Sequence, residues 1–238
     1  MSKQYSRYPY YLIIPALFVY GIFFIYPTLS GFYFSFTDWN LASQMHGIHF
    51  AGLANYKRLL FDNNDLYVII KNTFYYAIML VVLQNVIGLA LAFLFNGKLM
   101  LRNVGRTLVF IPVIVSQLAA SYVFVSIFNR KGLFNQLLTA IGVPSTIGWL
   151  GDKNVVMTCL VLISLWQGLG FNMSVFLAGM QSISVELIES ASVEGAGKWQ
   201  TARHVILPLL APSMTVNILL TMIGAMKVFD LVDRKSVV

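Results

Sequence analysis

Charge is what this sequence most lacks. Asp, Glu, Lys and Arg make up only 11% of its 238 residues, hydrophobic residues make up 58%, and the mean hydropathy is +0.75. Soluble domains carry about 25% charged residues. A surface built from this chain therefore cannot be mostly wetted, and lipid must be the solvent over much of it. Cysteine is almost absent. Cys159 stands alone inside an apolar run, which excludes an intrachain disulfide framework and a cysteine metal site. Histidine is scarce as well: His46, His49 and His204 have no metal-ligand spacing backed by carboxylates, and the first two read as loop residues. No Lys/Arg run interleaves with aromatics, so the net charge of +7 reads as scattered loop cations and not as a nucleic-acid surface. There is no internal repeat and no low-complexity tract.

What is present is a set of long apolar segments. They run at about 11–33, 72–95, 107–128, 155–180 and 207–229. Each is long enough to cross a hydrocarbon core of about 30 Å at about 1.5 Å per helical residue. None alternates with the period of two that barrel strands require, so the expected fold is all-α, a polytopic bundle of membrane helices. Pro15, Pro27, Pro112, Pro208 and Pro212 fall in or near these segments, which bundle packing tolerates. The basic start, with Lys3 and Arg7, does not introduce a cleavable signal: the apolar stretch that follows is too long, and no small-residue cleavage site closes it. Trp39 and Trp149 are expected at the membrane interfaces.

The connections set the orientation. Placing residues 1–10 in the cytoplasm puts Lys3, Arg7, Lys98, Arg102, Arg106, Lys198 and Arg203 inside, and leaves Lys57, Arg58, Lys71, Arg130, Lys131 and Lys153 outside. The tally is nearly even, and the dense 96–106 loop with the basic N-terminus decides for N-inside. The 181–206 connection is then cytoplasmic.

That connection is long, polar and helical in pattern, which asks for a reason. In "SVELIESASVEGAGKWQTARHVILPLLAPS", Ser184 is placed to cap a helix, and Glu186 and Glu189 lie near its positive end. Gly195 and Gly197 break that helix and allow a tight turn. A second short helix runs from Lys198 to about Val205, and Pro208 opens the next span. The result is a helix-turn-helix knob, a suitable shape for docking into a cleft on a soluble partner. Here the sequence resembles the EAA pattern of binding-protein-dependent ABC importer permeases: Glu-Ala-Ala, three residues, Gly, nine residues, Ile, one residue, Leu-Pro. Glu189, Ser190 and Ala191 take the first places, Gly195 follows, and Val205, Ile206, Leu207 and Pro208 complete the spacing. The departures are Ser190 for Ala and Val205 for Ile. The resemblance implies a coupling loop at 184–206 that fits a groove on a separate ATP-hydrolysing subunit, through Glu189, Ser190, Ala191, Gly195, Leu207 and Pro208.

Two further stretches, "PYYLIIPALFVYGIFFIYPTLSGFYFSFTDWN" and "FAGLANYKRLLFDNNDLYVIIKNTFYYAI", resemble the first permease of carbohydrate importers of the maltose and glycerol-phosphate type. That resemblance implies a transmembrane domain over 11–231 in the cell membrane and a sugar or sugar derivative as cargo, with a polyamine, peptide or ion as the alternative. It also implies alternating access with a second permease subunit, two ATPase subunits and an extracytoplasmic solute-binding protein. No Gly-x4-Gly-Lys-Ser/Thr occurs, so the chain is expected to be no enzyme and to bind no cofactor, with ATP and Mg held by the partner. The family pattern continues past "MKVFDLV" into one more span, whereas this chain ends "DLVDRKSVV". The expectation is therefore five spans of six, with 232–238 a truncated or non-native tail.

Polar groups at membrane depth are costly and face the bundle interior or a pathway. The candidates are Gln84, Asn85, Gln117, Gln167, Asn172 and Asn217. Trp166, Gln167 and Asn172 form the densest group, in the glycine-interrupted "WQGLGFN", and Asp230 lies at the outer end of the last span. The expected substrate pathway is Trp166, Gln167, Asn172, Gln117, Asn217 and Asp230. A membrane enzyme would need a paired Asp, His-Glu-x-x-His or Gly-x-Ser-x-Gly at depth, and a secondary transporter would need carboxylates within spans; neither is present.

Overall fold

The computed structural model of the chain describes residues 10–39, 48–62, 65–97, 99–143, 147–152 and 155–227. Among these residues the regular structure is helical, apart from one antiparallel bridge between Thr37 and Phe50. The chain divides between Ile69 and Ile70 into two compact units.

The first unit holds α1 (Ile14–Phe34), which buries none of its apolar window. Phe18 is 67% exposed and Phe23 76%. Such a helix is stable only in lipid. Beyond it, Asn55 fixes the chain reversal: its Nδ2 donates to Ser35 O at 3.0 Å and to Thr37 O at 2.7 Å. The Tyr56 and Ser35 hydroxyls meet at 2.8 Å. Trp39 is 41% exposed and stacks on Phe34 at 5.2 Å.

The second unit is a bundle. Its long helices are α2 (Asp65–Asn96), which begins just before the division, and α6 (Val156–Gln181). Between them lie α3 (Arg102–Ile114), α4 (Gln117–Ile127) and the short α5 (Leu133–Ala140). After α6 come α7 (Val185–Val193), the helical run α8 (Lys198–Leu209) and α9 (Ala211–Lys227). Counted by length and apolarity, α1, α2 and α6 can each cross a membrane alone. The pairs α3–α4 and α8–α9 qualify only together and are bent by 97° and 65°. Each of these three helices and two bent pairs overlaps one of the five apolar segments of the sequence, the last pair beginning at Lys198, ahead of the 207–229 segment.

Each bend has a local cause. Ser116 sits in extended conformation and its hydroxyl accepts from Ala119 N at 3.2 Å, so it caps α4 in the middle of an apolar run. Prolines are absorbed by widened turns. Ahead of Pro27 the Tyr26 N–H reaches Gly21 O, and ahead of Pro208 the Leu207 N–H reaches Ala202 O. Both are i→i−5 bonds, which relieve the clash of the proline ring with the carbonyl four residues back. Pro208 consequently lies inside α8 and does not open the last span; the bend falls at Leu210.

The core lies where α2, α6 and α9 meet. Met173, Phe176, Leu177 and Met180 of α6 pack with Ala92 and Leu210, and a second cluster joins Tyr76, Ala77 and Leu80 to Val161 and Ala225. Between α5 and α6, Asn135 organises the connection. Its Nδ2 donates to Asn129 O, Arg130 O and Ile147 O, and its Oδ1 accepts from Trp149 Nε1 at 2.8 Å. Trp149 is thus half-buried and held by Asn135.

Glycines set the closest helix approaches. A Cβ on Gly170 would meet Val109 O and stand 2.7 Å from Phe110 Cα, both backbone atoms of α3 that have no room to yield. Gly170→Ala should therefore pry α3 from α6 and destabilise the bundle by about 1–3 kcal/mol. Thermal unfolding of the purified, detergent-solubilised chain would register this, and an unchanged midpoint would refute it.

Candidate functional site

Two features of the second unit carry chemistry. The first is a cavity of about 340 Å³ within an otherwise apolar bundle. Its polar wall comes from four helices: Tyr76 and Gln84 of α2, Gln117 of α4, Ser164, Gln167 and Asn172 of α6, and Thr221 of α9. The register explains the convergence. Tyr76 and Gln84 are eight residues apart on α2, Ser164 and Asn172 eight apart on α6, so each pair lies on one helix face. Gly168, between Ser164 and Asn172, leaves room for the Gln84 side chain, since a Cβ there would collide with Gln84 Nε2 and stand 3.0 Å from its Cδ. Gly88 likewise faces Asn172, whose Cβ would lie 2.9 Å from any Cβ added there.

The polar groups answer one another. Tyr76 Oη donates to Ser164 Oγ at 2.7 Å, and Gln84 Nε2 donates to Ser164 O at 2.8 Å. Asn172 Nδ2 donates to Gln84 Oε1 at 3.2 Å and to Gly168 O at 3.0 Å. Thr221 Oγ1 donates toward Asn172 Oδ1 at 3.1 Å. Gln167 Nε2 donates to Val115 O at 3.0 Å, so it supplies a partner for a carbonyl orphaned at the bend between α3 and α4.

Of the six pathway residues expected from sequence, Gln117, Gln167 and Asn172 line this cavity together. Trp166 does not: it is 41% exposed and packs edge-on against Phe124 at 5.2 Å. Asn217 is wholly buried outside the lining, where its Nδ2 donates to Asn85 Oδ1 at 3.3 Å and its own Oδ1 has no hydrogen-bond partner. Asp230 lies outside the described residues. Among residues not in that expected set, Tyr76, Ser164 and Thr221 join the lining through their hydroxyls; their four- and eight-residue register with Gln84, Asn172 and Asn217 was the signal available.

The second feature is the knob between α6 and α9. Ser184 caps α7, accepting from Glu186 N at 3.3 Å. The helix ends in a Schellman arrangement: Ala196 N–H reaches Ala191 O at 2.9 Å and Gly195 N–H reaches Ser192 O at 3.1 Å. Gly195 has φ +85°, the left-handed region that glycine alone adopts freely. A Cβ there would meet nothing within 4 Å, so the demand for glycine is conformational and not one of space. Gln200 Oε1 then accepts from Gly197 N at 2.8 Å and starts α8. Glu189, Ser190 and Pro208 are exposed, while Ala191 and Leu207 are half-buried. Val193 is 89% exposed and Trp199 73%, an apolar surface raised on a rigid turn. Gly195→Val should loosen this turn by about 1–2 kcal/mol, and Gly195→Asn by less, because Asn tolerates positive φ. Hydrogen exchange at the Gly195 and Ala196 amides should quicken in that order.

Comparison with known proteins identifies the architecture. The family described as "Binding-protein-dependent transport system inner membrane component" matches residues 84–233. A probable starch degradation products transport system permease protein of Thermoanaerobacterium thermosulfurigenes is 34% identical over 93% of this chain and 74% of its own length. An arabinooligosaccharides transport system permease protein of Bacillus subtilis is 31% identical over 93% of this chain and 70% of its own. The trehalose/maltose transport system permease protein of Thermococcus litoralis is 32% identical over 94% and 75%. Among solved structures, a chain of a bacterial ABC transporter involved in the import of alginate superposes with a TM-score of 0.77, at 22% identity, over 93% of this chain and 74% of that one. The apolar helices and these matches together make this chain a member of the binding-protein-dependent inner-membrane transport family, an ABC importer permease subunit and not an enzyme.

Proposed function

We propose that this permease subunit passes a sugar or sugar derivative through the cavity lined by Gln84, Gln117, Gln167, Asn172 and Thr221, and is driven by a separate ATPase that docks on the 184–206 knob. The observation that carries the reading is the cavity. Amides and hydroxyls recognise hydroxyl groups, and Phe171 and Tyr76 in the same lining offer aromatic faces for a sugar ring. Its volume of 340 Å³ falls in the range of about 300–1,000 Å³ typical of small-molecule sites. The named relatives handle starch degradation products, arabino-oligosaccharides and trehalose or maltose, which supports a carbohydrate.

In this reading the N-terminus and the knob face the cytoplasm. A second permease completes the pathway, and a solute-binding protein delivers the cargo from outside; an alginate importer has been crystallised with its substrate-bound periplasmic protein. Two ATPase subunits bind ATP and Mg, for which this chain has no phosphate-binding motif. Glu189, Ser190, Ala191 and Gly195 form the docking surface, and Leu207 and Pro208 join it to α9. Closure of the ATPases tilts α6 and α9 and exposes the cavity to one side and then the other.

The test is uptake of radiolabelled maltotriose, trehalose, lactose and arabinotriose into proteoliposomes holding the assembled transporter and its binding protein. ATP-dependent entry of at least one is expected. Entry of spermidine or a peptide with none of the sugars would replace the carbohydrate reading. Gly195→Val should keep the chain in the membrane yet lower ATPase recovery and uptake by roughly tenfold, since a strained turn of about 1–2 kcal/mol presents the knob poorly. Native recovery and uptake in that variant would remove the knob from the docking role.

A further inference from the structure

One edge of the cavity wall, formed by Asn172 and Thr221, has a fixed hydrogen-bonding polarity, and Gln84 completes the arrangement that fixes it. Two backbone carbonyls of α6, one turn apart, decide the orientation of both buried amides. Ser164 O faces Gln84 at 2.8 Å, and Gly168 O faces Asn172 at 3.0 Å. A carbonyl oxygen only accepts, so the facing atom of each side chain must be its NH2 group. Gln84 Oε1 is thereby turned toward Asn172 Nδ2, 3.2 Å away. Asn172 has now committed both of its protons. Thr221 Oγ1 has one proton, directed between Asn172 Oδ1 at 3.1 Å and Asn217 O at 2.8 Å. What remains on these two side chains is lone pairs, on Asn172 Oδ1 and Thr221 Oγ1. With Asn172 3% exposed and Gln84 5%, water does not compete for this arrangement.

We propose that Gln84 is a positioning residue. It holds the Asn172 amide so that the edge of the wall formed by Asn172 and Thr221 accepts hydrogen bonds from the solute and has no free proton to donate, which makes a free solute hydroxyl the recognised group at that edge and rejects an ether there. The inference rests on the cavity being the solute path. Gly168 belongs to the same device, because any side chain there displaces the Gln84 amide.

The experiment uses the assembled transporter in proteoliposomes, with the best-transported sugar of the panel above and each of its mono-O-methyl ethers. Methylation removes a hydroxyl's donor and keeps its acceptor. For at least one ether the native complex should show kcat/KM roughly tenfold below the parent sugar, the cost of two acceptors facing each other. Gln84→Met keeps the length but not the amide, so the Asn172 proton that Gln84 Oε1 accepts is released and can be offered to the ether. Discrimination should then shrink to about threefold or less, with the change in KM. Gly168→Ala should reproduce that shift. A mere packing role for Gln84 would lower uptake of sugar and ether alike and leave their ratio intact. If the ratio survives both variants but is lost in Asn172→Leu, the positioning role is wrong and the pathway stands. If it survives Asn172→Leu too, the cavity is not the path. Failure of both Gln84→Met and Gly168→Ala to assemble would assign the network to folding and overturn the proposal.

Discussion

A polar side chain that these helices carry at membrane depth is costly unless another group of the bundle answers it, because lipid offers it nothing. That constraint organises the bundle. Asn172 on α6 is answered by Gln84 on α2 and Thr221 on α9, and Asn217 on α9 by Asn85 on α2. These bonds form only where backbones come close, and closeness is supplied by Gly88, Gly168 and Gly170, each facing a neighbour that a methyl group would strike. Polarity and small size are therefore two halves of one specification: the amides supply the attraction and the glycines the distance at which it acts.

The coarse fold was legible because its cause is simple. A run of apolar residues long enough to cross a bilayer has to be a helix there, so five such runs gave the helical bundle and its order. The bends were less legible. Ser116 is a plain N-cap residue, but it lies inside an apolar run from Thr107 to Phe128, and hydropathy does not see a cap. The proline turns were missed for a related reason. The sequence shows Pro208 at the end of a polar loop, and only the i→i−5 bond ahead of it shows how a helix carries a proline without ending.

The polar lining was legible in residue type and less so in partnership. Amides in spans stand out, so Gln84, Gln117, Gln167 and Asn172 were all visible as candidates. Hydroxyls do not stand out, since Ser, Thr and Tyr bond their own helix readily and are common in spans. Trp166 was grouped with its neighbours by closeness in sequence, but one step along a helix is a turn of about 100°, which took its ring toward Phe124 and away from the cavity. The knob shows the opposite balance. Ser184, Gly195 and Gln200 each act within their own turn, so short-range spacing carried nearly all of its geometry.

The 65° bend at Leu210 carries one more consequence. Pro208 and Pro212 flank it and remove backbone donors on either side, while the Leu210 side chain is wholly buried among Ala92, Met173 and Phe176. The join between knob and span is thus less a rod than a ball seated in a socket. If the knob is displaced as proposed above, the motion passes to α9 along the continuous backbone at Leu210 and through the packing of its side chain, and a looser fit there would show as lost motion between input and output.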